Sequence, residues 1–317
     1  MAQPAPGKPF LWTMRHAEAV GIVGVLAAWA ATQSCQIVGG YQSFQGHPCN
    51  VLPSSKLDSR KIGTLVLSKQ SDGTCYWIDQ TEVTVAQYGD FLNDAQPIDW
   101  DPNNCTWKTT PSNPANDPSD PCTQSTGVEA NPFATNKPIR CIDWCDAEAY
   151  CTWAGKSLCD GFSNGSFDEP SDITDQWGNA CSANALPYVT GTVPVEGACN
   201  VGLSEAGAEC EVLLQQMACA PTYVDSFPEC TSPSGAVDMI GNVAEWVVSC
   251  AASDGGPETE CQTRGGSFED SLYAQEAVCY YGAAAEPRDT RDRALGVRCC
   301  AALTAEEQSL VQPAAPH

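Results

Sequence analysis

The sequence predicts an α+β fold with little regular secondary structure, held together by disulfide bonds. Cysteine accounts for 19 of the 317 residues, and these cysteines recur through turn-rich sequence instead of forming the paired C-x-x-C knuckles of zinc ribbons. Glycine and proline, with 26 and 23 residues, interrupt most apolar runs. Two segments have a clear helical pattern. So many cysteines also indicate an oxidising compartment.

The first segment, residues 1–34, has the pattern of an export signal. Basic residues precede the apolar run AVGIVGVLAAWAA at residues 19–31, which has the length of a signal-peptide core and is short for a bilayer span. Cys35 follows a small residue, as at the cleavage site of bacterial lipoproteins, and its lipidation would leave an even number of cysteines. Ordinary secretion, with Cys35 in a disulfide, is the alternative.

The rest of the chain divides into three segments. Residues 35–60 are turn-rich and are predicted to form an irregular tether. Residues 61–302 carry the motifs and apolar patterns of a folded domain. Residues 303–317 are polar and end in prolines, as expected of a flexible tail.

The domain is expected to begin with two strands, at residues 61–67 and 75–79. A helix is expected after Thr84, because Thr84 and Gln87 form a capping-box pattern and apolar residues then recur at helical spacing as far as Asp94.

A proline-rich stretch at residues 101–138 favours neither strand nor helix. It is expected to be a long surface loop pinned by Cys105 and Cys122. The second helix is predicted over residues 144–154, with Asp143 as its N-cap.

The C-terminal half shows less periodicity. Irregular coil is expected from residue 156 to about residue 234, with one short helix over residues 205–217. Two further strands are predicted, at residues 245–249 and 296–300.

Composition disfavours several classes of function. The formal net charge is −24, and so acidic a surface repels nucleic-acid backbones and anionic headgroups. The 3 histidines are His16, His47 and His317, and the first and last lie in the predicted leader and tail. This count disfavours Ser-His-Asp hydrolases and metal sites that require two or three histidines.

Four motifs occur in one order along the domain. They are TEVTVAQYGDFL at 81–92, PIRCIDWCDAEAYCTWAGKSL at 138–158, DMIGNVAEW at 238–246, and RGGSF at 264–268 closed by LGVRC at 295–299. Together they resemble the formylglycine-generating enzyme, or sulfatase-modifying factor, family. The resemblance implies a single domain related to the C-type lectin fold.

The resemblance also implies where copper would bind. Family members oxidise a client cysteine to formylglycine with molecular oxygen at a copper ion, held by two cysteines three and eight residues after the serine of the GGS motif. Here that serine is Ser267, and the two positions are Asp270 and Gln275. Neither side chain is the soft thiolate that selects Cu(I). We therefore expect neither copper nor catalytic residues of the family type.

The family also uses iron and calcium; iron is not expected in this chain, whereas calcium is. Relatives that form carbon–sulfur bonds use iron held by three histidines, which this chain cannot supply. Calcium prefers several oxygen ligands at a turn, and the family pattern provides them. The matching positions are the side chains of Asp238 and Glu245 and the carbonyls of Gly241 and Val243. Asn200 and Val201 resemble part of a second calcium site.

These observations favour a secreted or lipid-anchored binding module at the bacterial envelope, stabilised by structural calcium. Its long loops would bind an envelope protein or glycan. The alternative is an active oxidoreductase of the same family that acts on protein cysteine with altered site residues, for example with Cys299 and Cys300 as a redox pair. Ordinary disulfide bonding of these two cysteines is favoured, because extracellular cysteines usually pair.

Overall fold

In a computed structural model of the chain, two β-sheets pack with three α-helices within the described residues. The described residues are 41–42, 63–70, 72–95, 97–114, 122, 135–161, 175–182, 186–202, 220–251, 256–271, 277–279, 284–305 and 307. The predicted leader, Cys35 and the predicted helix at 205–217 lie outside them.

The first sheet has five strands in the order β1-β2-β3-β9-β4. The strands are β1 (Tyr41–Gln42), β2 (Leu65–Lys69), β3 (Cys75–Asp79), β4 (Ser157–Leu158) and β9 (Cys299–Ala302). β1 pairs with β2 in parallel, and the other pairs are antiparallel. β3 lies where it was predicted and is buried along its whole length, as expected of a central strand.

The second sheet has four strands in the order β7-β6-β5-β8. They are β5 (Ala244–Cys250), β6 (Glu260–Arg264), β7 (Ala284–Pro287) and β8 (Leu295–Val297). The prediction of a single strand at 296–300 is wrong, because the chain forms two strands there, β8 and β9. β8 pairs in parallel with β5, whereas β9 pairs with β3 and β4, so the chain passes from one sheet to the other at Arg298.

The two predicted helices are confirmed. They are α1 (Val85–Asp94) and α2 (Trp144–Trp153), and each begins with a complete capping box, at Thr84 and at Asp143. A third helix, α3 (Gln176–Cys181), lies where irregular coil was expected. It is short and contains a glycine, so its sequence has no helical periodicity.

Seven disulfides join described cysteines. The pairs are Cys105–Cys145, Cys122–Cys141, Cys151–Cys299, Cys159–Cys300, Cys181–Cys279, Cys199–Cys230 and Cys250–Cys261. The loop after α1 is thus pinned at both predicted cysteines, to the start of α2 and the residues before it. The two adjacent C-terminal cysteines bond to separate partners, as favoured above.

The end of the domain packs against β3. Leu303 and Glu307, in the segment that the sequence assigned to the tail, are buried. The indole N–H of Trp77 donates to Oε1 of Glu307 at 3.3 Å. In the described part of the chain, no helix has the length and hydropathy needed to cross a membrane.

Candidate functional site

The turn after β6 carries the residues at which the family resemblance places the copper ligands. Ser267 is buried, and its backbone N–H and hydroxyl both donate to Oδ2 of Asp270, at 2.7 and 2.9 Å. The backbone N–H of Glu269 donates to the Ser267 hydroxyl at 3.1 Å. The Asp270 carboxylate therefore closes its own turn, a local side-chain to backbone arrangement typical of aspartate. Gln275 lies outside the described residues.

The cysteines around this turn are all oxidised. Cys261 and Cys279, which flank it in sequence, are bonded to Cys250 and to Cys181. Every cysteine in the described ranges is disulfide-bonded. None of these residues is a free thiolate that could take the place of Asp270 as a soft metal ligand.

The segment that carries the calcium pattern is a sharp turn before β5. Asp238, Gly241 and Asn242 have φ values of 55°, 76° and 56°, in the left-handed region that only glycine adopts readily. A Cβ on Gly241 would lie 2.4 Å from the carbonyl oxygen of Asn200, so glycine is required here. The backbone N–H of Asn242 donates to that same oxygen at 2.8 Å.

The structure thus brings together two predicted sites. Asn200 and Val201 were assigned to a second calcium site, yet they lie directly against Gly241. The side-chain amide of Asn200 donates to Oδ1 of Asn242 at 3.0 Å, which ties the two segments to each other. The two predicted ligand sets therefore belong to one region of the fold.

Glu245, a predicted calcium ligand, has its carboxylate fully hydrogen-bonded within the protein. Its side chain is buried, and Nε of Arg298 donates to both of its oxygens, at 2.9 and 2.8 Å. Nη2 of Arg298 donates to Oε1 at 2.8 Å, and the indole N–H of Trp177 donates to Oε2 at 2.7 Å. These four hydrogen bonds use the acceptor capacity of the carboxylate.

Asp238, the other predicted side-chain ligand, has one carboxylate oxygen without a donor. Its Oδ2 accepts the backbone N–H of Asp225 at 2.7 Å, while its Oδ1 is buried and has no hydrogen-bond partner. Burial raises the pKa of Asp238 to about 6. A buried carboxylate oxygen without a donor is costly unless a cation or a proton meets it.

A second carboxylate of this kind, Glu82, was not among the predicted ligands. It is 0% exposed, its Oε1 accepts the side-chain amide of Asn242 at 2.8 Å, and its Oε2 is buried without a partner. Burial and the charge of Asp238 raise the pKa of Glu82 well above its ordinary value. The neighbouring backbone is fixed, since the Val83 N–H donates to the Val297 carbonyl and the Val83 carbonyl accepts from the Ile139 N–H, both at 2.8 Å.

Little in the amino-acid pattern marks Glu82 as a buried residue. It stands in the TEVT motif beside the capping box of α1, where an exposed acid would be unremarkable. Glu82 is buried because the 238–245 turn, which is distant in sequence, packs against it. Across the described segments, no three Asp, Glu, His or Cys side chains surround a common metal position.

A groove of about 330 Å³ is a separate candidate site. It lies along the loop after α1, and its lining includes Trp107, Lys108, Thr109, Thr110 and Arg291. Nζ of Lys108 pairs with Asp143 and Asp146, so its charge is neutralised within the protein. The indole N–H of Trp107 is buried and has no hydrogen-bond partner.

Residues 58–303 match the family model of the sulfatase-modifying factor enzyme 1-like domain, and the chain belongs to this family. The predicted family and fold class are therefore confirmed. A search of curated protein sequences finds no match.

Similar solved structures include three with near-complete coverage of their own chains. The crystal structure of CarF is 16% identical with a TM-score of 0.45, and the alignment covers 75% of this chain and 94% of that one. PvdO from Pseudomonas aeruginosa is 17% identical with a TM-score of 0.44, over 75% and 90% of the two chains. Treponema denticola variable protein 1 is 16% identical with a TM-score of 0.41, over 75% and 91%.

Proposed function

We propose that this protein is an exported binding module of the sulfatase-modifying factor family that lacks copper-dependent formylglycine-generating activity. The absence of copper-dependent activity is inferred from Asp270. It occupies the first thiolate position, and its carboxylate is committed to the Ser267 turn by two hydrogen bonds. A hard carboxylate does not replace a thiolate as a ligand of Cu(I).

Copper binding and peptide oxidation test this part of the proposal. The mature protein, titrated with Cu(I) against a chromogenic chelator, should take up no stoichiometric copper. It should also leave a cysteine-containing peptide unoxidised in the presence of oxygen. The D270C/Q275C variant, which restores both thiolate positions, serves as the positive control for copper uptake. Aldehyde formation by the wild type would overturn the proposal and favour the alternative, an oxidoreductase acting on protein cysteine.

Export is supported by the disulfides, because bonds of this kind persist in oxidising compartments. Lipidation at Cys35 belongs to the same proposal. In a bacterial host fed an alkyne-bearing fatty acid, the wild type should be labelled at its N-terminus and found with membranes. C35A should be exported without label. If the wild type is not labelled, Cys35 is not lipidated and the protein is secreted without an anchor.

Structural calcium is also part of the proposal. It is supported by the unpartnered oxygen of Asp238 and by the oxygen-rich turn around Gly241. Calcium would here stabilise the turn that precedes β5 and would take no part in chemistry. Copper and iron are not expected, for want of thiolates and histidines.

The groove beside Trp107 is the surface on which we propose ligand binding. It combines the partly buried Trp107 with the exposed, hydroxyl-bearing residues Thr109 and Thr110. Such a set can stack against a sugar ring and hydrogen-bond its hydroxyls. An envelope glycan therefore fits the groove better than a protein does.

Binding of envelope polysaccharide fragments, followed by calorimetry, tests the groove. W107A should lose binding, whereas Y223A, which removes an exposed aromatic residue outside the groove, should retain it. Equal binding by W107A and the wild type would exclude the groove. Absence of any glycan binding would leave a protein as the partner class to pursue.

A further inference from the structure

The loop at residues 190–197 exposes two valines on either side of a proline. Val193 and Val195 are 64% and 43% exposed, and Pro194 lies between them. Glu196 is the only charged residue of this loop, in a chain whose formal net charge is −24. The loop therefore offers a small apolar surface on a strongly acidic protein.

Hydrogen bonds and a disulfide hold both ends of this loop. Tyr188 and Gly191 exchange two backbone hydrogen bonds, at 3.1 and 3.0 Å, where the loop begins. Shortly after the loop, Cys199 is bonded to Cys230. The ends are thus fixed, while the two valine side chains between them remain accessible from outside.

The backbone of residues 193–195 is suited to lie extended along another chain. Proline disfavours the helical region for the residue before it, so Val193 is biased toward an extended conformation. Within the described residues, the backbone N–H groups of Val193 and Val195 make no hydrogen bond, and Pro194 has no N–H to pair. An extended segment docks on the edge of a sheet through alternate groups of this kind.

The active-site cleft of an endopeptidase fits such a segment. Main-chain hydrogen bonds hold the substrate there, and the S1 pocket accepts the side chain that precedes the scissile bond. A valine suits a small apolar pocket, as in elastase, and does not fill a pocket built for aromatic or basic side chains. The ring of Pro194 obstructs the bond after Val193, which leaves the bond after Val195.

We infer that this loop is a cleavage site for an endopeptidase with a small apolar S1 pocket, which hydrolyses the Val195–Glu196 bond. One water is consumed as the C–N bond breaks, and it leaves a carboxylate on Val195 and an amino group on Glu196. The Ala198 N–H donates to the carbonyl oxygen of Val195 at 3.1 Å. This hydrogen bond must open first, because the oxygen has to enter the oxyanion hole.

The cut chain should stay folded as one molecule. Among the described cysteines, three bridges join the two sides of the cut, namely Cys151–Cys299, Cys159–Cys300 and Cys181–Cys279. The product is therefore a two-chain form linked by disulfides. It would separate only on reduction.

Limited digestion of the mature, oxidised protein with elastase tests this inference. One product should form, heavier than the intact protein by one water, and reduction should separate it into two fragments. N-terminal sequencing of the second fragment should read EGACN, from Glu196. Val248 is an internal control, since it is 42% exposed but lies in β5, where its N–H donates to the Cys159 carbonyl at 3.0 Å. No cut should follow it.

Variants of Val195 separate recognition by the S1 pocket from exposure alone. V195A keeps a small apolar side chain and should be cut at a rate within about threefold of that of the wild type. V195F and V195D should be cut roughly tenfold or more slowly, because one side chain is too large for the pocket and the other is charged. V248T is the matched control and should leave the rate unchanged. Near-UV circular dichroism verifies the fold of each variant.

Two results would overturn the inference. One is a first cut outside residues 190–197, or equal rates for the wild type, V195F and V195D. The other is resistance of the native protein under conditions in which the reduced and alkylated chain is cut after Val195. The copper and glycan experiments do not depend on this loop, so they test the proposed function separately.

Discussion

Arg298 is the residue on which both sheets depend. It lies between β8 and β9, where the chain leaves one sheet for the other, and its side chain is 0% exposed. Its guanidinium bonds the Glu245 carboxylate and reaches carbonyls on both sides of the crossing. A fork of five donors suits this position, whereas a lysine would satisfy fewer acceptors.

Removing Arg298 should be severely destabilising. R298M leaves Glu245 buried without a cation, which costs about 3–5 kcal/mol in comparable cases. Urea unfolding should show this loss. R293Q is the matched control, because the Arg293–Glu269 pair is 35% and 32% exposed and such pairs contribute about 1 kcal/mol or less. Similar losses in the two variants would contradict the assigned role of Arg298.

Asp143 gives a prediction about pH. Burial, with the neighbouring Asp146, raises the pKa of Asp143 from 3.8 to about 6. The folded protein therefore holds this proton more tightly than the unfolded chain does. The resulting contribution to stability is present below pH 3.8 and is lost as pH rises through about 6.

D143N should remove this pH dependence. Asparagine keeps the N-cap acceptor for the Asp146 backbone N–H, which lies 3.0 Å from Oδ1. Between pH 4 and pH 7, the free energy of unfolding of the wild type should fall by roughly 2 kcal/mol relative to D143N. Denaturant titrations at matched ionic strength measure the difference. Parallel profiles for the two proteins would show that Asp143 titrates normally.

Among the elements, those specified by neighbouring residues were predictable. α1 and α2 follow from capping boxes and from apolar spacing within each helix, and β3 from a run of residues with high strand propensity. β6 and β7 were missed because their sequences contain charged or small residues and because both strands form by long-range pairing. The Glu82–Asp238 cluster was missed for the same reason, since each acid is ordinary until the fold brings them together.

Two disulfides act as one element at the end of the domain. Cys151–Cys299 and Cys159–Cys300 run side by side, so each closes a loop of only about ten residues while the other is intact. Breaking either one should cost about 2–3 kcal/mol. Breaking both opens the long loop as well, so the double loss should exceed the sum of the single losses.

Alanine pair variants and denaturant unfolding test this coupling. The cycle combines C151A/C299A with C159A/C300A. A second cycle combines C151A/C299A with loss of the separate Cys199–Cys230 bridge and should be closer to additive. Strict additivity in the first cycle would mean that the two bridges act independently.

For the whole molecule, disulfides must offset an unfavourable charge distribution. A formal net charge of −24 repels itself more strongly in the compact state than in the unfolded chain. Domains of this kind have a net stability of about 5–15 kcal/mol. Seven bridges at about 2–4 kcal/mol each match or exceed that total. Folding should therefore depend on oxidation.

Reduction should abolish the native state at neutral pH and moderate salt. After reduction in denaturant, alkylation and removal of the denaturant, the chain should show no near-UV circular dichroism and no cooperative thermal transition. Protein carried through the same steps without reductant should refold and melt cooperatively. High salt should recover little structure, because screening weakens the charge repulsion but does not restore the lost constraint on the unfolded chain. A cooperative transition in the alkylated chain, within a few degrees of that of the oxidised protein, would show that the apolar core suffices without the bridges.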